Sequence, residues 1–245
     1  MVEKAIEQLR LQSAEWGIAL NRAQQSLLST YAHLLAGYNL ANVVGTSDRD
    51  EIIVEHLLDS LSCFIVKDLW QARSVVDVGA GAGLPGIPLA IVRPGLRVAL
   101  LETTEKKARF LNHAQVVLGL CNLEVLHERA EEAGRKPDRR EASDLATARA
   151  LASLSVVVEY CAPLVRPGGV ILAMKARLSE EELSTGVAAS HDLGAELREV
   201  RVVEHEDQLP QKERRIVVFD KVGRTPRKFP RRVGVAKKRP LGGSS

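Results

Sequence analysis

The chain has 245 residues, 45% of them hydrophobic and 4% aromatic, and its 34 Lys and Arg outnumber 31 Asp and Glu to give a net charge of +3. That composition supports a real apolar core, arranged as one compact domain with extensions or as two small domains. No run of about 18 apolar residues is present to span a membrane. The first twenty residues mix Glu3, Lys4, Glu7, Arg10 and Glu15 with apolar positions instead of forming a secretory leader, so the expected location is the cytoplasm.

Residues 1 to about 70 read as helical. Apolar positions recur near helical spacing from Glu3 to Leu20 and again from Leu27 to Leu35, before a break at Gly37 and polar turn residues from Asn39 to Asp50. The next segment, RDEIIVEHLLDSLSCFIV, opens with Ser47 or Asp48 as N-cap and acidic residues in its first turn. Its apolar residues form two flanks, Ile53, Leu57, Leu61 and Phe64 on one and Val54, Leu58 and Ile65 on the other. His56, Asp59, Ser60 and Cys63 fall at i, i+3, i+4 and i+7 and share one narrow stripe. The cysteines Cys63, Cys121 and Cys161 are odd in number and far apart, without metal-type spacing, and read as buried thiols.

From Arg73 the rhythm changes. Short runs rich in Val, Ile and Leu (SVVDVG, RVALLE, NLEVLH, LATAR and GGVILAMK) alternate with helix-length stretches, which predicts right-handed crossovers and a parallel sheet covered on both faces. Leu197–Val203 and Arg215–Phe219 are placed as an antiparallel pair at one edge. The expected fold is therefore α/β and Rossmann-like, five parallel strands plus an antiparallel edge pair, with an N-terminal helical extension. The expected division is 1–70, 71–222 and a basic flexible tail, 223–245. From Arg224 onward eight Lys and Arg occur with no Asp or Glu, so the rest of the chain is net negative. The tail reads either as a solvated terminus or as an arm that contacts phosphates; Pro226, Pro230 and Pro240 favour an extended chain.

The strongest local signal is VVDVGAGAGLPG, residues 75–86. A buried strand runs into Gly79, Gly81 and Gly83, and a helix begins near Pro85. Glycines at such a turn let the backbone approach a ligand closely, outside the carboxyl end of the first strand. Gly81, Gly83 and Gly86 also satisfy the dinucleotide fingerprint G-x-G-x-x-G, a weak signal alone. Three features favour S-adenosylmethionine. Asp77 lies inside the strand, two residues before Gly79, and a buried carboxylate calls for a polar or cationic neighbour. Pro85 and Pro88 remove amides that a pyrophosphate would use. No separate substrate domain of dehydrogenase size is visible.

Glu102 ends the second strand about twenty residues on, with Thr103 beside it, where a carboxylate accepts both ribose hydroxyls of either nucleoside ligand. Ala130 and Glu131, after the third strand, are placed to border the adenine, with a solvated acidic helix start as the competing reading. Arg149 emerges at the carboxyl end of the fourth strand, on the rim of the glycine loop.

With these residues in view, the chain resembles the RsmG/GidB family, which methylates guanine N7 in bacterial 16S ribosomal RNA. The matching pieces are YNLANV (Tyr38–Val43), EHLLDSL (Glu55–Leu61), VVDVGAGAGLPGIPLAIVRP (Val75–Pro94), LLETTEKKARFL (Leu100–Leu111), ERAEE (Glu128–Glu132), ARALASL (Ala148–Leu154) and the basic ending. YNLAN stands where the family commonly has Y-N-L-T, and Glu102 where Asp is frequent. The resemblance implies a class I methyltransferase sheet and a cofactor site at Gly79, Leu84, Ala130, Glu131 and Arg149, beside Asp77, Gly81, Gly83, Glu102 and Thr103. It also favours His56 and Asp59, with Arg149, as substrate-binding residues. The implied partner is 16S ribosomal RNA or the small ribosomal subunit, met by a monomer without metal. Guanine N7 has no proton to lose, so no general base is expected. Two other readings stay open: a small-molecule methyltransferase, against which the basic tail argues, and a non-catalytic RNA-binding module, against which the complete loop with Glu102 argues.

Overall fold

A computed structural model describes residues 2–37, 46–203 and 214–243. The YNLANV motif and most of the expected turn before Asp50 lie outside the described residues. Among the described residues seven strands, β1 Ser74–Val78, β2 Arg97–Glu102, β3 Leu123–His127, β4 Ser143–Arg149, β5 Val165–Lys175, β6 Glu196–Val203 and β7 Arg214–Asp220, make one mixed sheet. Their order is β3-β2-β1-β4-β5-β7-β6. β1 pairs with β4, β4 with β5 and β2 with β3 in parallel, while β7 runs antiparallel to both β5 and β6. This is the expected five-strand parallel set with an antiparallel pair at one edge.

The chain forms two compact units, Met1–Arg73 with Ala80–His127, and Ser74–Gly79 with Glu128–Ser245. The expected divisions after residues 70 and 222 are not where these units part. The glycine loop crosses from one to the other, and the C-terminal segment belongs to the second.

In the first unit the helices Val2–Glu15 and Arg22–Gly37 form the N-terminal extension. The first ends before the expected Leu20. The helix Gly86–Val92 is buried along its whole length, which accounts for the unbroken apolar sequence there. Burial leaves the carbonyls of its last turn without water. Side-chain amides fill the gap: Gln24 donates to the Val92 carbonyl at 2.9 Å, and Asn122 donates to that of Ala90 at 3.1 Å. The Tyr31 hydroxyl, fully buried, donates to the Ala82 carbonyl at 2.5 Å and so ties the extension to the glycine loop.

The segment after Asp48 starts as expected. The Asp48 carboxylate accepts from the amides of Asp50 and Glu51. It is not one regular α-helix, however. Ile52–Leu57 is a π-helix, Leu58–Leu61 returns to α, and Ser62–Ile65 tightens to 3-10. The wider and then tighter turns shift the phase of the side chains, so Val54 and Ile65 of the second flank are only half-buried.

In the second unit the helix Leu154–Cys161 is buried at every residue, including Glu159 at 1% exposure. A buried carboxylate needs a partner, and it comes from the far end of the chain. Arg231 grips Glu159 with Nε at 2.9 Å from Oε1 and Nη2 at 2.5 Å from Oε2. Thr225, Phe229, Pro230 and Ala236 are buried beside exposed cations. The segment 223–243, expected as a flexible tail, is therefore folded against its unit. The apolar residues interleaved among its cations are the physical reason.

Tyr31→Phe removes the hydroxyl and orphans the carbonyl of Ala82, which is 2% exposed. The expected loss is about 1–3 kcal/mol of stability, read from urea unfolding. A change within about 0.5 kcal/mol, the scatter of an ordinary surface substitution, would show that this hydroxyl does not secure the loop.

Candidate active site

Within the first unit the loop folds on itself and on β2. Its turn is held by Gly83 N donating to the Ala80 carbonyl at 2.7 Å, and Ala80 N donates to the Leu101 carbonyl at 3.0 Å. Gly81 and Gly83 have φ of 59° and 94°, a region open mainly to glycine. Around Gly83 a Cβ would stand 2.5 Å from the Ile87 Cδ1 and 3.0 Å from the Leu111 Cδ2. Glu102, 5% exposed, completes the arrangement. Its Oε2 accepts from Gly81 N at 2.9 Å and its Oε1 from Thr104 N at 2.7 Å. An ionised carboxylate has about four acceptor positions, so both oxygens retain a lone pair for hydroxyl donors. Thr103 is exposed, with its carbonyl 3.1 Å from the His127 Nε2, and Leu84 is buried at 8%.

The second unit holds the other part of the predicted set. The strand order reverses between β1 and β4, and in such sheets ligands bind at the carboxyl ends flanking the reversal. Asp77, 1% exposed, lies opposite Thr147 in the β1–β4 register and accepts from its hydroxyl at 3.2 Å. The carboxylate thus has a partner on the neighbouring strand, where the sequence pointed to the ammonium of a bound methionine or an ordered water. Sequence reading missed Thr147, whose signal is a lone hydroxyl in the apolar run LATA. Gly79 follows with φ of 72°, and a Cβ there would stand 2.5 Å from the Leu151 Cδ1.

Arg149 ends β4, half-exposed, and Ala150 turns the chain with φ of 51°. A left-handed alanine costs roughly 1–2 kcal/mol, so the turn has to be held. Lys175 donates to the Ala152 carbonyl at 3.0 Å and pairs with Glu182 at 2.7 Å, while Glu182 accepts from Leu154 N at 2.9 Å. Neither Lys175 nor Glu182 was legible as a support for this loop, because they lie on β5 and on the helix Glu180–Asp192.

Ala130 and Glu131 open the short helix Ala130–Ala133 and are 7% and 5% exposed. Glu131 is therefore not a solvated helix start: its Oε1 accepts from Gly234 N at 2.9 Å. In the first unit the stripe divides. His56 is half-exposed, whereas Asp59, Ser60 and Cys63 are buried, and the Ser60 hydroxyl turns back to the His56 carbonyl at 2.7 Å. Cys121 is exposed, against the expectation of three buried thiols. Burial, with Asp77 nearby, pushes the Cys161 thiol up and keeps it protonated.

A glycine loop locked to a strand-end carboxylate, at a sheet of this order, is the arrangement of nucleoside-binding α/β enzymes. The model of the GidB family, described as rRNA small subunit methyltransferase G, matches residues 24–213. The chain belongs to this family. A ribosomal RNA small subunit methyltransferase G of Rubrobacter xylanophilus is 46% identical over 240 residues, covering 98% of this chain and 92% of that protein. Its counterpart in Pelotomaculum thermopropionicum is 41% identical over 236 residues, 96% of this chain and 98% of the other. Among solved structures, a SAM-dependent O-methyltransferase of Thermotoga maritima superposes with a TM-score of 0.51 at 16% identity, covering 67% of this chain and 66% of that one. That likeness concerns the fold.

Gly79→Val places a branched side chain at a positive φ and against Leu151. The expected result is a loss of S-adenosylmethionine affinity of at least about tenfold, 1.4 kcal/mol, by isothermal titration, with the far-UV circular dichroism retained. Wild-type affinity in this variant would remove the loop from the site.

Proposed function

We propose that this chain transfers a methyl group from S-adenosylmethionine to N7 of a guanine in 16S ribosomal RNA. The observation that carries the reading is the Glu102 carboxylate, held by Gly81 N at 2.9 Å and Thr104 N at 2.7 Å at the end of β2, in a chain of this family. In the first unit Glu102 takes the ribose hydroxyls, with Thr103 and Leu84 beside it, and Gly81 and Gly83 keep the loop free of side chains. In the second unit Gly79 does the same, Asp77 fixes polar contacts near the methionine end, and Ala130 and Glu131 border the adenine.

When bound, S-adenosylmethionine supplies a sulfonium methyl for in-line displacement. The residues of the chain position and exclude water; they do not need to remove a proton. Guanine N7 attacks with an in-plane lone pair, so neither a general base nor metal activation is required. The methylated base is cationic, and a cation against its imidazole edge would oppose the reaction. Arg149 is accordingly an anchor for a carboxylate or phosphate, and His56 and Asp59 serve the substrate side. Because the major-groove edge of A-form RNA is out of reach of side chains, the guanine is presented from a loop or extruded. The enzyme acts in the cytoplasm as a monomer.

Seven of the eight cations from Arg224 onward are exposed: Arg224, Arg227, Lys228, Arg232, Lys237, Lys238 and Arg239. They give the second unit a fixed basic surface for the RNA backbone. Small-subunit RNA or particles lacking 7-methylguanosine, incubated with the enzyme and S-adenosylmethionine, are expected to gain it at one guanine, mapped by reverse transcription after borohydride and aniline cleavage. Methylation of small molecules alone would overturn the substrate assignment.

Replacing Lys237, Lys238 and Arg239 by Ala is expected to flatten the salt dependence of RNA binding by roughly 0.7–0.9 log units for each phosphate these cations no longer neutralise. An unchanged slope would place the RNA on another surface.

A further inference from the structure

We infer that the segment Thr225–Ala236 is a latch that holds the Ala130–Glu131 turn in its binding shape and thereby sets the affinity for the cofactor. The inference rests on the proposed adenine-side role of that turn. Three sets of contacts within the second unit carry it. First, Gly234 N donates to the Glu131 Oε1 at 2.9 Å, and Tyr160 stands near enough to the same carboxylate to be shifted by its charge. Burial first, and then the charge of Glu131, push the tyrosine up, so its hydroxyl keeps its proton. Glu131 is 5% exposed, so the Gly234 amide takes the place of water.

Second, the latch is fastened just before Gly234. Arg231 N donates to the Glu159 Oε1 at 3.0 Å in addition to the paired guanidinium contacts. Glu159 precedes Tyr160 on the helix Leu154–Cys161, so the segment is fastened to the helix whose tyrosine stands beside Glu131. Third, the chain after the turn reaches back. Arg140 donates to the carbonyls of Thr225 at 2.6 Å and Phe229 at 2.9 Å, and also to that of Gly134 at 2.8 Å. At Gly134 itself a Cβ would lie 3.1 Å from the Pro230 Cγ and 2.9 Å from the Pro163 Cβ. The helix Ala130–Ala133 has only four residues. One turn of helix has little intrinsic stability, and these contacts supply what it lacks.

Arg231 and Gly234 therefore do a different job from the exposed cations around them, and the two jobs are separable. Truncation after Arg232 keeps the Arg231–Glu159 pair and removes the Gly234 amide. Tyr160→Phe, in the full chain, removes the hydroxyl beside Glu131. Both variants are measured for S-adenosylmethionine affinity by titration, for kcat and KM, and for hydrogen exchange of the amides of residues 130–134. The expected result is faster exchange and a cofactor Kd and KM raised by about tenfold on truncation, the order expected for one hydrogen bond to a buried carboxylate, and raised less by Tyr160→Phe, with kcat at saturating cofactor retained. The full-length chain with Lys237, Lys238 and Arg239 replaced by Glu is expected to lose RNA affinity while its cofactor Kd stays unchanged. Unchanged exchange on truncation would overturn the latch. Faster exchange with unchanged cofactor affinity would overturn the link between the turn and the cofactor. Failure of the wild-type chain to bind S-adenosylmethionine would instead overturn the proposed function itself.

Discussion

Glu102 accepts main-chain amides on both oxygens, from Gly81 at 2.9 Å and Thr104 at 2.7 Å, and the glycine loop of the first unit takes its shape from those bonds. A loop that turns through glycines at positive φ has no regular partner for its amides, and a buried amide without one costs as much as a hydrogen bond left unmade. A carboxylate without donors costs more. Each group solves the problem of the other. The same bonds hold the carboxylate oxygens fixed, so the ribose hydroxyls proposed for them would meet acceptors that have little ordering entropy left to lose. Behind the loop, Tyr31 donates to the Ala82 carbonyl, which gives the N-terminal helices a part in fixing the loop.

What the sequence made legible was whatever depends on local pattern. The alternation of apolar runs predicted the parallel strands and the edge pair, because strand period and burial are written residue by residue. Asp48 as N-cap was legible because its side chain serves amides two and three residues on. The π-turn at Ile52–Leu57 was not, since α and π turns differ by one residue in a pattern that is apolar on several sides. Partners distant in sequence were also hidden. Thr147 for Asp77 depends on strand register, and Lys175 with Glu182 depends on how β5 and its following helix meet the loop after Arg149.

The C-terminal segment shows how net charge misleads about order. Eight cations without an anion describe a chain that repels itself, and composition of that kind is common in unfolded termini. Composition does not say where the compensating charges are. Glu159 and Glu131 lie about seventy and a hundred residues upstream, the first in a helix so apolar that its single carboxylate looks out of place. That misplaced carboxylate was the available signal: a Glu among Val, Tyr and Cys asks for a cation, and here the returning basic segment supplies it.

Why an ion pair anchors this segment, when Phe229, Pro230 and Ala236 already bury apolar surface, follows from what each contact specifies. Apolar burial scales with area and tolerates small slips along the chain. A buried ion pair adds little net stability over a well-packed apolar substitute, because desolvating both charges offsets most of their attraction. Its value lies in direction. The guanidinium of Arg231 meets both Glu159 oxygens while its own amide meets one of them, so side chain and backbone are fixed at a single residue. Register set there carries three residues on to Gly234, whose φ of 79° turns the chain and brings its amide to Glu131. A slip of one residue would offer Val233 or Val235 in its place, side chains that disfavour such a φ. The charge pair thus fixes which amide reaches the carboxylate, and the apolar contacts hold the segment down once that choice is made.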